Sequence, residues 1–227
     1  MPSWCDLKYL RSYLEFDAQP IVKINDGSVV GHELLARLSL GDKRLSPEFF
    51  IPVLENHGLY PELDRLLALN AVEFLALAQG DGFVSVNIQS IESLVSHLNN
   101  PVYDGYQTRI HFELLESVEW SGTDSLLAIN SASGKGFKVF LDDFGSGLSN
   151  LRTLLSADLY GVKVDRFVLL DFIENEAVHT LKLLVDFLMS GNKRIIFEGV
   201  ELPNHEEFIK SLNVDVYVQG FLYGKPK

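Results

Sequence analysis

Short runs of β-branched and aromatic residues alternate along this chain with longer amphipathic segments, a pattern that favours repeated strand–helix units. The strand candidates are residues 20–24, 29–35, 83–88, 109–114, 137–142, 161–164, 194–198 and 214–219. Interior runs such as 139–141 and 195–197 are apolar on both faces, which is typical of parallel strands covered by helices. About eight strands in 227 residues predict a TIM-like (β/α)8 barrel, whose usual length is about 250 residues. An open, doubly wound sheet is the alternative.

The start of the barrel departs from this regular alternation. Residues 25–28, Asn-Asp-Gly-Ser, separate the first two strand candidates and carry a hairpin signal, so we expect one antiparallel strand near the start. Apolar residues at helical spacing in the first 17 positions predict an N-terminal helix that packs on the barrel. The alternative is that this segment forms a dimer contact. We expect one barrel domain over residues 1–227.

The segments between the strand candidates contain residues that typically begin and end helices. Ser46-Pro47-Glu48 combines an N-cap residue, a proline at the first helical position and an acidic first turn. The further helix candidates are residues 61–78, 90–98, 123–133, 148–155, 176–189 and 204–212. Each would lie on the outside of the barrel.

The charge balance restricts the classes of partner. The chain has 19 Lys and Arg residues against 31 Asp and Glu residues, a formal net charge of −12. A surface of that sign repels a phosphate backbone, which argues against long nucleic acid but not against a small phosphate ligand. The single cysteine excludes an intramolecular disulfide, and the sequence has no run of 18 apolar residues that would indicate a membrane segment. We therefore expect a soluble, cytoplasmic protein.

Polar residues occupy the carboxyl-terminal ends of the strand candidates, where barrel enzymes carry their catalytic groups. They are Glu33, Asn87, Glu113, Asp142, Asp143, Lys163, Asp165, Glu198 and Gln219. Taken singly, each is commonly a solvated strand end, a helix cap, a surface charge or a turn residue. Several carboxylates at one mouth repel one another unless a cation lies among them, and hard oxygen ligands select Mg²⁺ or Mn²⁺. The adjacent aspartates suit a two-metal site for a phosphodiester.

Eight short segments, in order along the chain, also carry a family resemblance. They are 19–22 (QPIV), 31–37 (GHELLAR), 85–87 (SVN), 113–116 (ELLE), 142–149 (DDFGSGLS), 163–166 (KVDR), 198–201 (EGVE) and 219–223 (QGFLY). Together they resemble the motifs of EAL-domain cyclic di-GMP phosphodiesterases, over nearly the whole chain. The resemblance implies a TIM-like barrel with one antiparallel strand and hydrolysis of cyclic di-GMP to linear 5′-pGpG.

The resemblance also implies a role for each matching residue. It implies two Mg²⁺ or Mn²⁺ ions, the first held by Glu33, Asn87, Glu113 and Asp142. Asp142 would bridge to the second ion, which Asp143 would also bind. Lys163 and Glu198 would orient and deprotonate the attacking water, with Glu198 as the general base. Ligand contacts are implied for Gln19, Leu35, Arg37, Glu201 and Gln219.

Further implications concern regulation and assembly. Glu116 resembles the acid that anchors the loop of residues 145–149, which is associated with dimerisation in the family, so a homodimer is a possible state. Such domains often follow sensory or cyclase modules in a longer parent protein. Two alternatives for this chain therefore stay open: an excised catalytic domain and a stand-alone enzyme.

Five positions depart from the family pattern. Leu34 replaces an alanine, Leu115 a threonine, Leu148 an aromatic residue, Phe197 an alanine and Ala18 a tyrosine. None of these removes an implied metal ligand, the lysine or the base, so we favour an active enzyme. The alternatives are a degenerate EAL-like module that binds cyclic di-GMP or a protein without turnover, and an unrelated barrel that acts on another phosphoester.

Overall fold

The fold is that of a computed structural model, which describes residues 7–78, 80–115, 120, 122–146 and 151–227. The strands of these residues are β1 (Leu14–Lys23), β2 (Val29–Leu40), β3 (Lys43–Leu45), β4 (Phe83–Ile88), β5 (Ile110–Leu114), β6 (Lys138–Phe144), β7 (Gly161–Val164), β8 (Arg194–Phe197) and β9 (Tyr217–Gln219). The helices are α1 (Leu7–Tyr13), α2 (Pro47–Asn56), α3 (Tyr60–Leu77), α4 (Ile91–Leu98), α5 (Thr123–Gly134), α6 (Leu151–Ser156), α7 (Arg166–Glu174), α8 (Val178–Ser190) and α9 (Pro203–Ser211).

Eight of these strands close into a barrel. The order is β1-β9-β8-β7-β6-β5-β4-β2, and the pairing of β1 with β2 closes the ring, while β3 extends β2 on its far side. β1 runs antiparallel to both of its neighbours, and the other barrel strands pair in parallel. The TIM-like barrel and its one antiparallel strand are therefore confirmed.

The hairpin between β1 and β2 forms where the turn signal predicts it. Gly27 adopts a left-handed backbone, with φ of +71°, and the Asp26 carboxylate accepts a hydrogen bond of 2.9 Å from the Ser28 amide. Glycine adopts this conformation without a steric cost, and aspartate side chains commonly stabilise such turns. Beyond the turn, the register shifts between Val22 and Ile21, and the shifted register pairs Gln19 with Glu33.

Apolar side chains fill the amino-terminal end of the barrel. Ile21, Phe140 and Ile196 form a fully buried cluster there, and half-buried aromatic rings such as Phe83 and Tyr217 pack against it. A second, larger apolar layer lies between the strands and the surrounding helices. These side chains close the amino-terminal end of the barrel. The polar residues inside the barrel therefore lie at the opposite, carboxyl-terminal end.

The amino-terminal helix is shorter than the sequence predicts. Helix α1 ends at Tyr13, and residues 14–17 belong to β1, so the prediction of a helix through residue 17 is wrong at its end. These residues take backbone partners on β2, with Leu14 opposite Leu38, and that pairing outweighs the local helical spacing. Leu10 is buried against Leu38 and apolar residues of α2 and α3. Residues 1–6 lie outside the described residues.

Other boundaries also differ from the predictions. β2 continues to Leu40 and β9 begins only at Tyr217, while α7 was not predicted. Helix α7 follows Asp165, whose side chain accepts a hydrogen bond of 2.8 Å from the Phe167 amide and so caps the helix. In the described part of the chain, no helix has both the length and the apolar character needed to cross a membrane.

Candidate active site

The carboxyl-terminal end of the barrel brings together polar residues from seven strands. Neighbouring parallel strands place their ends side by side, as where Asn87 on β4 lies opposite Glu113 on β5. The residues that meet there are Glu33 on β2, Asn87 on β4, Glu113 on β5, Asp142 on β6, Lys163 on β7, Glu198 directly after β8 and Gln219 on β9. The sequence prediction of convergence at one mouth is confirmed for these seven residues, whereas the Asp165 side chain caps α7.

Lys163 lies at the centre of this cluster. Its Nζ atom is 2.8 Å from Glu198 Oε1, 3.0 Å from Glu113 Oε2, 3.0 Å from Asp142 Oδ1 and 3.3 Å from Glu33 Oε2. The lysine is 1 % exposed. One ammonium balances one of four carboxylates, so a fully ionised cluster retains three negative charges in a buried setting. Such an excess requires bound protons or further cations.

Burial raises the pKa of three of these acids. It raises the pKa of Glu113 well above its usual value, with a further contribution from the charge of Glu33. It raises the pKa of Asp142 against the opposing effect of Lys163, and it raises the pKa of Glu198 to about 8. In the absence of other cations, this part of the site therefore holds protons more tightly than free carboxylates do.

The pKa of Glu33 is shifted in the opposite direction, downward. Burial by itself would raise its pKa, but the charge of Lys163 and hydrogen bonds from Gln219 and Asn87 lower the pKa below the usual value. Gln219 Nε2 donates to Glu33 Oε2 at 2.6 Å, and Asn87 Nδ2 donates to Glu33 Oε1 at 2.8 Å. Glu33 is therefore the carboxylate best supported in its ionised form.

Asp142, Asp143 and Glu198 form a second grouping of acids at the mouth. One ligand atom from each lies within 4.8 Å of the other two. Successive strand residues normally face opposite sides, but the pairing of β6 with β7 shifts register between Leu141 and Phe144. Asp143 has a φ of +53°, a left-handed conformation. This irregularity lets both aspartates contribute to the same side of the strand.

The residues present fit a divalent metal ion. Among the described residues, Glu113 Oε1 is buried without a well-formed hydrogen bond, although Ser85 is a neighbour. Asn87 donates through its amide nitrogen to Glu33, which leaves its carbonyl oxygen as the atom suited to a cation. A set of carboxylates and one amide oxygen, with no thiolate or imidazole among them, matches Mg²⁺ or Mn²⁺ better than Zn²⁺.

Comparison with known proteins identifies the family. The family model for the EAL domain matches residues 9–226. The chain belongs to the EAL domain family.

Relatives of the EAL domain in this chain are larger proteins. The chain is 30 % identical over 218 residues to the probable cyclic di-GMP phosphodiesterase PdeB of Escherichia coli (strain K12), covering 91 % of this chain and 41 % of PdeB. It is 27 % identical over 221 residues to the biofilm architecture maintenance protein MbaA of Vibrio cholerae serotype O1, covering 92 % of this chain and 27 % of MbaA. The chain therefore spans between about a quarter and two fifths of these relatives.

A solved structure has the same fold. The PaMucR phosphodiesterase, in complex with c-di-GMP, superimposes with a TM-score of 0.83 at 25 % identity. The match covers 97 % of this chain and 95 % of the PaMucR chain. The barrel of this EAL domain and its mixed strand directions are therefore shared with a protein whose structure is known.

Two glutamines predicted to contact the ligand lie behind Glu33 in this EAL domain. Gln219 Nε2 lies 3.2 Å from Gln19 Oε1, and Gln19 Nε2 donates to the Gly224 carbonyl at 3.2 Å. Both side chains are buried. These contacts form a chain of amides that supports the Glu33 carboxylate, and direct ligand contacts for Gln19 and Gln219 stay a prediction.

The other residues predicted to contact a ligand have different surroundings. Leu35 lines a cavity there, whereas Arg37 Nε pairs with Asp17 Oδ2 at 3.1 Å. Glu201 pairs with Arg166 at 2.9 Å. Their roles toward a ligand stay predictions. Glu116 and Leu148, which concern the predicted loop, lie outside the described residues.

The cavity beside the acids has a volume of about 520 Å³. Glu33, Asn87 and Asp143 lie on its wall together with Leu115, one of the departures from the family pattern. A buried acid on α3, Asp64, also lines the cavity and was not predicted from the sequence. The sequence signal that could have indicated Asp64 is a carboxylate among the apolar, core-facing positions of a helix.

Proposed function

We propose that this EAL domain hydrolyses cyclic di-GMP to linear 5′-pGpG with two Mg²⁺ or Mn²⁺ ions. The observation that carries the proposal is the convergence of Glu33, Glu113, Asp142 and Glu198 on Lys163 at the edge of a cavity of about 520 Å³. A cyclic dinucleotide presents two phosphodiesters, and hydrolysis of either one gives the linear product. The resemblance of the eight motifs and the relatedness to PdeB support this substrate.

The assignment of residues to two ions is the one that the family resemblance implies, and the oxygen donors present support it. Glu33, Asn87, Glu113 and Asp142 would hold the first ion, and Asp142 and Asp143 would hold the second. Glu198 has a carboxylate oxygen within 4.8 Å of one from each aspartate, and we assign it to the attacking water rather than to an ion. Bound ions of this type lower the pKa of a coordinated water and stabilise the attacking and leaving oxygens of a phosphodiester.

Lys163 and Glu198 are assigned to the attacking water. Lys163 donates to carboxylates on several sides, so its ammonium is held in place to orient a water by hydrogen bonding. Glu198 lies 2.8 Å from Lys163 and has an oxygen within 4.8 Å of one from each aspartate, so it is within reach of a water held among these groups. We assign proton acceptance from the water to Glu198.

A substitution separates the role of Glu198 from that of the metal ligands. Glu198→Gln should lower kcat by about 10²-fold or more while it keeps cyclic di-GMP binding, because the amide cannot accept the proton. Asp142→Asn should lose Mn²⁺ binding as well, measured by calorimetric titration. Glu174→Gln, on the exposed end of α7, is the matched control. Unchanged turnover in Glu198→Gln would remove the assignment of the base.

Partners beyond the substrate are also proposals. Arg37 is assigned to a phosphate, because its planar guanidinium donates two parallel hydrogen bonds. Homodimerisation and attachment to sensory or cyclase domains are proposed from the family resemblance, and the larger size of the relatives supports the second. A cytoplasmic location stays a prediction from the sequence.

A binding module without turnover is the second candidate. Leu115 on the cavity wall favours it, since a leucine replaces the hydroxyl of the family pattern near the metal ligands. Incubation of purified protein with cyclic di-GMP and Mn²⁺, followed by chromatography, separates the two. Linear dinucleotide is the expected product. Binding without product would favour the module, and an affinity unaffected by Arg37→Ala would favour an unrelated phosphoesterase.

A further inference from the structure

Two arginines share one buried carboxylate on the β1–β2 hairpin. Asp17 on β1 is 4 % exposed, and each of its two oxygens contacts a different guanidinium. Arg44 on β3 donates through Nη2 to Asp17 Oδ1 at 2.6 Å, and Arg37 Nε on β2 forms an ion pair with Asp17 Oδ2 at 3.1 Å. Arg44 Nη2 also lies 3.1 Å from an oxygen of the exposed Glu15. These four residues form one charged cluster.

Strand pairing places this cluster on the same side of the hairpin as the cavity. Asp17 lies opposite Leu35 and Glu15 lies opposite Arg37 in the pairing of β1 with β2. Residues directly opposite in an antiparallel pair share one side of the sheet, and residues two apart along a strand share it as well. Arg37 therefore lies on the same side of β2 as Leu35 and Glu33, and both of these line the cavity.

The contacts of Arg37 leave part of its guanidinium available to a ligand. Its Nη1 donates to the Ala36 carbonyl at 2.9 Å, and its Nε faces Asp17. In the part of the chain that the structure describes, Nη2 has no hydrogen-bond or ion-pair partner. A guanidinium carries its five N–H groups in one plane, so contacts that fix one edge also fix the direction of the remaining donors.

The balance of charge explains why two arginines accompany Asp17. Two guanidiniums that meet on one carboxylate repel each other, and the charge of Asp17 offsets that repulsion. With Arg37 as its only partner, Asp17 would cancel the positive charge that Arg37 presents to an anion. Arg44 takes up part of the Asp17 charge, while Glu15, the other partner of Arg44, is screened by water. The cluster therefore holds Arg37 in place without neutralising it.

We propose that Asp17 and Arg44 are positioning residues that hold the Arg37 guanidinium toward a phosphate of the bound cyclic dinucleotide. The inference rests on the proposed function, in which Arg37 contacts a phosphate. Asp17 fixes the edge of the guanidinium that carries Nε, and Nη2 is the nitrogen left to donate to the phosphate. Arg44 leaves the three groups together with one positive charge.

The first test needs no substrate. Crystal structures of wild type and Asp17→Asn without ligand should differ at Arg37, whose guanidinium should leave its place beside residue 17, because the two arginines then repel each other. Asp186→Asn, which removes the partner of Lys182 on α8, is the matched control and should leave Arg37 where it is. An Arg37 guanidinium that keeps its position in Asp17→Asn would overturn the positioning role of Asp17.

The second test measures steady-state kinetics on cyclic di-GMP with Mn²⁺. Asp17→Asn should raise KM by about tenfold while kcat changes less than about twofold, because Arg37 is no longer held toward the phosphate. Removal of a negative charge by itself would strengthen the binding of an anion, so an equal or lower KM in Asp17→Asn would overturn the proposal. In the Arg37→Ala background, the same substitution should change KM less than about twofold. A tenfold rise in that background would show that Asp17 does not act through Arg37.

Variants of Arg44 test the charge balance. Arg44→Ala should raise KM by about fivefold, and Arg44→Lys should restore most of the loss, because lysine also supplies a charge that offsets Asp17. Arg65→Ala is the matched control, since the Arg65 side chain is 47 % exposed, as that of Arg44 is, and pairs with Glu62. Equal KM values for wild type and Arg44→Ala would overturn the role of Arg44.

The outcomes separate this inference from the proposed function. A wild-type protein that neither binds nor hydrolyses cyclic di-GMP contradicts the proposed function, and the position of Arg37 in the two crystals still decides whether Asp17 holds it. Thermal melting checks that each variant is folded. If Asp17→Asn does not fold, the comparison of Arg44→Ala with Arg44→Lys decides the proposal.

Discussion

At the scale of single residues, Lys163 has the largest effect on the acidic mouth. Its ammonium lies within 3.3 Å of four carboxylates, and the side chain is almost fully buried. A buried charge left without its partner costs several kcal/mol, so these groups depend on each other for stability. The order of motifs predicted that Lys163 lies at the site, but its central position follows from register among strands far apart in sequence.

Removal of that charge should destabilise the metal-free protein. Lys163→Met should lower the free energy of unfolding by about 3–5 kcal/mol in EDTA, because four carboxylates lose their counter-charge. Mn²⁺ should restore part of the loss by supplying cations. Thermal and urea unfolding with and without Mn²⁺ measure both effects. Lys182→Met, which removes a surface ion pair with Asp186, should cost at most about 1 kcal/mol. Equal stability of wild type and Lys163→Met in EDTA would contradict the role of Lys163.

His111 makes a separate contribution at the closed end of the barrel. Its ring stacks on Phe83 with centroids 3.8 Å apart and lies near Phe140 and Tyr160. Burial, with a smaller effect of Lys138, lowers the pKa of His111 from 6.5 to about 3. The unfolded chain therefore binds a proton that the folded chain excludes. Stability from this residue is complete above pH 6.5 and is lost as the pH falls from 6.5 toward 3.

Replacement of His111 should remove that part of the pH dependence. Between pH 8 and pH 5, wild type should lose about 2 kcal/mol more of unfolding free energy than His111→Phe does. Urea unfolding at a series of pH values measures the difference. His179→Gln replaces an exposed histidine and should behave like wild type. Parallel plots of unfolding free energy against pH for wild type and His111→Phe would show that the buried imidazole is not the source of this pH dependence.

At the scale of elements, the irregular end of β6 decides how the two aspartates are presented. The sequence alone predicted that Asp142 and Asp143 are adjacent and important, and it predicted the strand that carries them. It contains no signal for the register shift against β7 or for the left-handed backbone at Asp143. Both depend on tertiary contacts, which local propensity does not report.

The backbone of Asp143 provides a test of this arrangement. Asn tolerates a positive φ, so Asp143→Asn should keep the unfolding free energy within about 0.5 kcal/mol while Mn²⁺ affinity falls. Asp143→Val should lose about 1–2 kcal/mol of stability as well, because a β-branched residue is strained there. Unfolding and metal titration of both variants give the comparison. Equal stability of the Val and Asn variants would contradict a left-handed Asp143.

The departures from the family pattern also act at the scale of elements. Leu34 and Phe197 belong to the apolar layer between the strands and the helices. Substitutions there change the packing behind the site and leave the acids on their strands. Leu34 also lines the cavity, as does Leu115, which lies on its wall with Asn87 and Asp143. Among the departures in the described part of the chain, Leu34 and Leu115 are therefore the two that line this cavity.

At the scale of the whole molecule, the sequence predicted the barrel, its antiparallel opening and the set of converging strand ends. The hydrophobic alternation and turn signals that carry these predictions are local properties. Long-range partners were not predictable in the same way. The pairing of Arg37 with Asp17, the support of Glu33 by Gln219 and the place of Asp64 on the cavity wall each require the folded arrangement.

Manganese anomalous diffraction would show directly whether divalent ions hold the acidic mouth together. A crystal soaked in MnCl₂ should give two anomalous peaks per chain, one near Glu33, Asn87 and Glu113 and one near Asp143, with Asp142 between them. In a second crystal, of Asp142→Asn, the anomalous density at both positions should be absent or strongly reduced. A wild-type map with no peak among these residues, at a Mn²⁺ concentration that supports turnover, would contradict the proposed metal site.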